Sequence, residues 1–489
     1  MEQIVKSKNL NKTIVFLLYP IFLELFLQTI VGYIDIIMIG RLGTKELAAI
    51  QISNSPIDTI ITIFTAFGIG CTALLTKYAG AEDKENINRC IGQTILISFI
   101  VSAITFILFN LFRHQILVLM GATGDIIHDA NTYIKFISYS IPCLIFSTLV
   151  YGLIRGMGNT KIPMYINTIQ NIIHLILNFI LIYDTRIMYI FNKWEIKLPG
   201  LNMGIKGVAI STLISRIWCV IGILVYYGIK KKFIIPRKYL MPDRNILKFI
   251  MKIGLPATFE QIIFKGGMLG FTRIVVSLGS VSLAAHAVAE TVEMVSYLPG
   301  MAFQIATITL TGQFLGARKP GTAELSVKKI DMLARIFMGS LGLLFIIVPE
   351  MLVKLFTTDK EVIQLASTVL RIEGFSQVFF ARFYVYSGLL WGIGNTKDVL
   401  VTSFIGVWAI RLVVCSVAVY FFKAGLIGAW IAMFLDLFTR AFIITAKIRK
   451  GNWKTKLFSE SEKENLGYMD LLDDLPIKCK HTKKLGNSC

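Results

Sequence analysis

A single offset of 236 residues lays the first half of this 489-residue chain over the second. Pro20 and Glu24 fall on Pro256 and Glu260, Leu42-Gly43 on Leu278-Gly279, and Ala48-Ala49 on Ala284-Ala285. Ala66-Phe67 falls on Ala302-Phe303, Gly80-Ala81 on Gly316-Ala317, and Gly152-Leu153 on Gly388-Leu389. The run from Arg155 to Lys161 (RGMGNTK) then meets the run from Trp391 to Lys397 (WGIGNTK), still without a gap. Chance does not supply that, so the chain must fold into two equivalent units. Later the register shifts: Gly204-Ile-Lys-Gly207 matches Gly425-Leu-Ile-Gly428 at an offset of 221. The first half therefore carries extra residues around 184–202, read as a loop on the outer side.

Composition says where the units reside. Mean hydropathy is +0.67, 55% of the residues are hydrophobic and only 16% are charged. A soluble chain of this length exposes far more charge. Twelve apolar stretches are long enough to cross a hydrocarbon core as helices: 14–38, 48–76, 91–112, 132–154, 163–184, 204–229, 250–276, 283–311, 332–355, 365–391, 398–421 and 425–446. An all-α polytopic membrane protein of two six-helix, pseudo-symmetric lobes is expected. Six spans return the chain to its starting side, so the repeats are parallel, related by an axis along the membrane normal, with a site between them. The divisions expected are an N-terminal segment 1–13, a first lobe 14–229, a basic linker 230–249, a second lobe 250–446 and a polar tail 447–489.

The net charge of +20 does not point to nucleic acid, because the basic residues sit between spans rather than on a soluble domain. They concentrate in alternate segments, most densely at Lys230, Lys231, Lys232, Arg237, Lys238, Arg244 and Lys248. That bias places both termini in the cytoplasm of a multi-pass plasma (inner) membrane protein. The seven cysteines show neither CxxC pairing nor metal-ligand spacing and read as core or tail thiols. The first apolar run, interrupted by Glu24 and Asp35 and lacking a small-residue cleavage site, is not a signal peptide.

Several stretches taken together resemble the multidrug and toxic compound extrusion (MATE) family. They are Pro20…Glu24…Gly32-Tyr-Ile-Asp35-Ile-Ile-Met-Ile-Gly40-Arg-Leu-Gly43, the Gly-Ala pair after the second span, Arg155-Gly-Met-Gly-Asn-Thr-Lys161 and Gly312-Gln-Phe-Leu-Gly316-Ala. The resemblance covers about residues 14–447. It implies twelve helices in two lobes around a V-shaped cleft, and export of organic, often cationic, compounds coupled to entry of Na⁺ or H⁺.

Acids in apolar helices are the first candidates for coupling, since an ionised carboxylate at the bilayer centre costs about 2.5–3.5 kcal/mol. Asp35 lies deep in the first span, and the resemblance places the first-lobe cation site there. Glu24 lies eleven residues earlier, about 20° away around the helix and three turns distant. Its repeat partner Glu260 also matches a glutamate of the NorM branch. In the fifth span Asn171, His174 and Asn178 follow i, i+3, i+7 and share one face. Amide oxygens suit Na⁺, whereas histidine, ionising near pH 6.5 in solution, favours proton handling or bridges helices. The resemblance expects a polar residue at Asn178 and asparagine or aspartate at position 174. Thr212 matches a family hydroxyl near the same site.

Glu290 and Glu293, at i, i+3 in the eighth span, suggest a polar cavity or a dock for a cation. Aromatic rings bind lipophilic cations through their faces, which makes Tyr33 in the first span and Phe379, Phe383 and Tyr384 around Arg382 substrate candidates. Phe380 occupies the place where the NorM branch has an aspartate. Arg411 and Asp436 form an expected structural ion pair, and Pro20 and Pro256 remove one helical hydrogen bond each and allow bends.

No GxxxxGK[ST] loop is present, and neither a serine elbow nor a paired His/Asp motif supports an enzyme. Energy must come from an ion gradient, worth about 2.3 kcal/mol per charge for each 100 mV. The expected function is secondary antiport of small organic, cationic compounds against H⁺ or Na⁺, by a monomer in the lipid bilayer needing no cofactor beyond the coupling ion. A flippase for a lipid-linked sugar is the alternative.

Overall fold

Twelve long helices account for most of the described residues in the computed structural model, which describes residues 4–6, 9–122, 124–190, 194–230, 237–451 and 453. The first six are α1 (Leu10–Gly40), α2 (Thr44–Gly80), α3 (Lys84–Leu119), α4 (Gly124–Gly156), α5 (Lys161–Ile182) and α6 (Gly204–Lys230). The second six are α7 (Arg244–Val276), α8 (Ser280–Gly316), α9 (Pro320–Ile347), α10 (Lys360–Gly392), α11 (Thr396–Phe421) and α12 (Gly425–Arg449). Nine of them are apolar enough to count as spans by composition alone. The other three, α7, α8 and α10, are as long but carry the acids Glu260, Glu290, Glu293 and Glu373. Exposed Phe99, Leu111, Phe112, Leu224 and Phe442 coat the outside, which only a lipid solvent tolerates on this scale.

Helix ends follow local chemistry. Asn9 caps α1 by accepting from the Lys12 amide at 3.1 Å, Asp83 caps α3, and Asp243 caps α7. The repeated Gly-x-Gly-Asn-Thr-Lys stretch is a helix stop. Gly158 and Gly394 take φ of 88° and 74°, conformations open to glycine. The Asn159 and Asn395 amides donate back to the carbonyls of Ile154 and Leu390 at 3.1 and 2.8 Å. The extra segment of the first half is a β-hairpin, not a loop. β1 (Asp184–Ile190) pairs antiparallel with β2 (Trp194–Leu201), a local ladder that lets a short polar insertion satisfy its own backbone. The linker docks on the first lobe: Gln93 Nε2 donates to the carbonyls of Tyr239 and Met241 at 3.0 and 2.7 Å.

The lobes meet along a seam at the end where α1 begins. A Cβ added to Gly80 would strike the Gln313 carbonyl, one on Gly316 the Lys77 carbonyl, and one on Gly70 the Ile250 carbonyl. The repeat-related pair Gly80 and Gly316 thus permits backbone-to-backbone contact from both sides. Gln313 Nε2 donates to the Gly156 carbonyl at 2.7 Å, and the Thr309 hydroxyl to that of Arg155 at 3.3 Å. Helix α1 belongs to neither lobe alone. Ile14 and Leu17 pack with Phe303, Ile308 and Phe314 of the second lobe, and Ile21 with Ala302 and Ala306. Ile39, beyond Pro20, packs in the first-lobe core.

Candidate functional site

Asp35 of α1 faces His174 and Asn178 of α5. Its Oδ2 lies 2.9 Å from His174 Nε2, and its Oδ1 accepts from Asn178 Nδ2 at 2.8 Å. His174 Nε2 is also 3.1 Å from Asn178 Nδ2. A ring nitrogen carries a proton or a lone pair, never both, so the contact with Asp35 needs a proton on Nε2 or on the carboxyl. Behind it, the Ser211 hydroxyl of α6 donates to Asn178 Oδ1, which turns the amide NH₂ toward Asp35. The Asp35 side chain is 23% exposed while that of His174 is 8% exposed, so the carboxylate is the more accessible member of the pair. Among the described residues no lysine or arginine nitrogen lies within 4.0 Å of Asp35.

Asn171 is buried one turn before His174 on the same helix. Thr212 corrects an expectation: its hydroxyl donates to the Val208 carbonyl of its own helix at 2.9 Å, whereas that of Ser211, 2.8 Å from the same carbonyl, also reaches Asn178 Oδ1 and takes the place in the cluster.

Glu24 is not an isolated carboxylate. Arg155 pairs with its Oε1 at 2.6 Å, and the Asn167 amide donates to the same oxygen. Its equivalent Glu260 accepts from Ser403 at 2.9 Å, and its Oε2 is buried without a hydrogen-bond partner among the described residues. Glu260 also lines a cavity of about 530 Å³ between the lobes. The walls come from α2, α4, α7, α8, α10 and α12, with Tyr297, Phe380, Phe383, Tyr384 and Trp391 as the aromatic part. Two of its cations are already neutralised, Arg155 by Glu24 and Arg440 by Asp436. Glu260 and Lys265 have no ion pair within 4.0 Å among the described residues.

Two substrate candidates lie elsewhere. Phe379 packs edge-on against Phe434 and Phe438 of α12, and Tyr33 is exposed away from the cavity lining. Phe383 and Tyr384 do face the cavity. Glu290 is half-exposed, its carboxylate 3.8 Å from His286. Glu293 is buried within the second lobe, where it feels Glu373 and Arg411. Arg382 pairs with Asp331 at 3.5 Å. Asp436 is completely buried and bridges two arginines, Arg411 at 2.8 Å and Arg440 at 2.6 Å.

Reading by sequence missed Ser211, Arg155 as partner of Glu24, Arg440, and Glu373. The last is buried, with Ser376 and Gln377 donating to its carboxylate. A lone acid in the apolar stretch 365–391 was its available signal.

Two parallel bundles of six helices, a cavity between them and an uncompensated acid inside one bundle define a multi-pass transporter scaffold. The chain belongs to the MatE family, whose model matches residues 20–180 and 256–417, one match per lobe. A protein of Thermotoga maritima called probable multidrug resistance protein NorM is 26% identical over 449 residues, 92% of this chain and 94% of that one. The Bacillus subtilis protein called probable multidrug resistance protein YoeA is 25% identical over 85% of this chain and 88% of its own. Among solved structures, a MATE transporter in the bent conformation superposes with a TM-score of 0.83 at 21% identity, covering 93% of this chain and 98% of that chain. A MOP superfamily transporter from Pyrococcus furiosus gives 0.83 at 20% identity, with coverage of 94% and 98%.

Proposed function

We propose that this chain is a secondary antiporter that exports small organic compounds across the membrane in exchange for H⁺, by alternating access. Its relatives from T. maritima and B. subtilis are called probable multidrug resistance proteins, which supports export of such compounds. The observation that carries the coupling half is the Asp35–His174 contact with no arginine or lysine beside it among the described residues. A carboxylate matched by a fixed cation has no reason to exchange a proton, whereas one matched by an imidazole can pass it between two titratable groups.

Na⁺ fits the present rotamers less well. Both groups at hydrogen-bonding distance from the Asp35 carboxylate are nitrogens, and the amide oxygen that would serve a hard cation is turned toward Ser211. In the outward state a proton enters at Asp35 and is shared with His174. The change of charge on α1 is felt by both lobes, because the helix packs on both. The lobes then rock about the seam. The substrate, for which Glu260 and the ring faces of Phe383 and Tyr384 suit an organic cation, occupies the cavity between them.

Proteoliposomes carrying pH and Na⁺ gradients imposed separately test this reading. Dye export is expected under the pH gradient alone and is lost in Asp35→Asn. Export driven only by Na⁺, or unchanged in Asp35→Asn, overturns it.

A further inference from the structure

A second cavity, of about 710 Å³, lies away from the coupling cluster and from the space between the lobes. It is a groove at the end of the molecule where α1 and α5 both begin. Its rim is polar, with Asn9, Asn11, Lys12 and Lys161, and its walls are Val15, Phe16, Tyr19, Pro20, Met164 and Tyr165. From Lys12 to Pro20 the wall runs about 12 Å along the helix axis, from charged rim to apolar depth. Val15, Tyr19 and Tyr165 are more than half exposed.

Charge and shape point the same way. Lys161 is exposed at the rim and holds its ammonium 4.2 Å above the Phe16 ring of the groove wall. Among the described residues no carboxylate lies within 4.0 Å of Lys12 or Lys161. A third lysine arrives from the other lobe, Lys329 of α9, which donates to Asn11 Oδ1 at 2.7 Å. Two ammonium groups without a carboxylate partner among the described residues, at the mouth of an apolar slot, match a molecule with an anionic head and a hydrocarbon tail. Tyrosines at such a level mark the membrane–water interface, where basic pockets between helices take acidic head groups.

We infer that this groove is a binding site for one anionic phospholipid, its phosphate held by Lys12 and Lys161 and one acyl chain lying along Val15, Phe16, Tyr19 and Met164. The occupant bridges the first lobe to the rim that Lys329 reaches from the second. The site is independent of the coupling chemistry at Asp35.

Native mass spectrometry of the purified full-length protein, incubated with phosphatidylglycerol or phosphatidylcholine, reads occupancy directly. One phosphatidylglycerol is expected to be retained in preference to phosphatidylcholine. Lys12→Gln and Lys161→Gln each lower its affinity about fivefold, the factor that corresponds to about 1 kcal/mol per lysine. Lys84→Gln, at the same end but outside the groove, leaves it unchanged. Val15→Trp keeps both charges but fills the slot, and it too reduces retention. Equal retention of the two lipids, or the same loss from Lys84→Gln as from the groove lysines, overturns the site. Displacement of the lipid by millimolar inorganic phosphate with Val15→Trp still competent overturns the lipid part, since it reveals a plain anion site.

Discussion

Glu24 and Glu260 occupy equivalent places in the two repeats, yet only Glu24 is held by an arginine. The same offset that relates the acids relates Arg155 to Trp391 and Asn167 to Ser403. The first lobe thus surrounds its carboxylate with a cation and an amide, at 2.6 Å for Arg155. The second gives it one hydroxyl, and the tryptophan at the place of the arginine has an Nε1 without a hydrogen-bond partner among the described residues. Symmetry preserved the acid and discarded its counterion.

Removing that counterion is therefore costly in one lobe only. Arg155→Leu leaves Glu24 buried and unpaired, and is expected to destabilise the protein by about 3–5 kcal/mol. Arg155→Leu with Glu24→Gln recovers most of the loss. Thermal melts in detergent for the two single variants and the double variant check this. An additive cycle would show that the pair does not act as a pair.

The hydroxyl that orients the cluster is Ser211. Ser211→Ala removes the hydrogen bond to Asn178 and is expected to cost about 0.5–1.5 kcal/mol, together with a measurable loss of dye export. Thr212→Val, one residue along, breaks only a bond to its own helix and leaves export near wild type. Transport rates of both variants in the same vesicles separate the two.

His174→Gln keeps a polar side chain but removes the imidazole that would exchange a proton with Asp35. Export is expected to lose its dependence on pH while the protein folds normally. Initial rates measured from pH 5.5 to 8 check it. A wild-type profile would assign the dependence to another group.

Gly80→Ala and Gly316→Ala place a methyl group against the backbone of Gln313 and Lys77. Both are expected to weaken the seam and favour the state in which this end is open. Single-cysteine labelling near residue 77 in inside-out vesicles, increased over the glycine parent, is the readout.

Asp436 neutralises two buried arginines at once. Asp436→Asn is expected to reduce stability by about 3–5 kcal/mol, visible as loss of monodisperse protein. Asp331→Asn, whose arginine partners are part-exposed, costs less.

Much of the scaffold could be read from the chain because helices repeat locally. The offset of 236 residues, the apolar runs and the i, i+3, i+7 face of Asn171, His174 and Asn178 need no tertiary knowledge. Facts about rotation and partnership were hidden. Ser211 and Thr212 differ by about 100° around one helix, so which one faces Asn178 depends on how α6 is turned against α5. Arg155 falls just past the apolar stretch 132–154, while its partner lies 131 residues away. Phe379 and Phe383 share a spacing but meet different neighbours, α12 and the cavity. The hairpin at 184–201 was read as a loop because its strands are short and hold Pro199 and Gly200, poor strand residues.

The straddling course of α1 has a consequence for engineering. Cutting this chain between its repeats does not yield two self-sufficient bundles, since the second would expose the patch over Phe303, Ala306 and Phe314 that Ile14, Leu17 and Ile21 normally cover. A split version should reassemble only if the first segment is co-expressed, and a permuted one only if that opening helix is delivered to both neighbours.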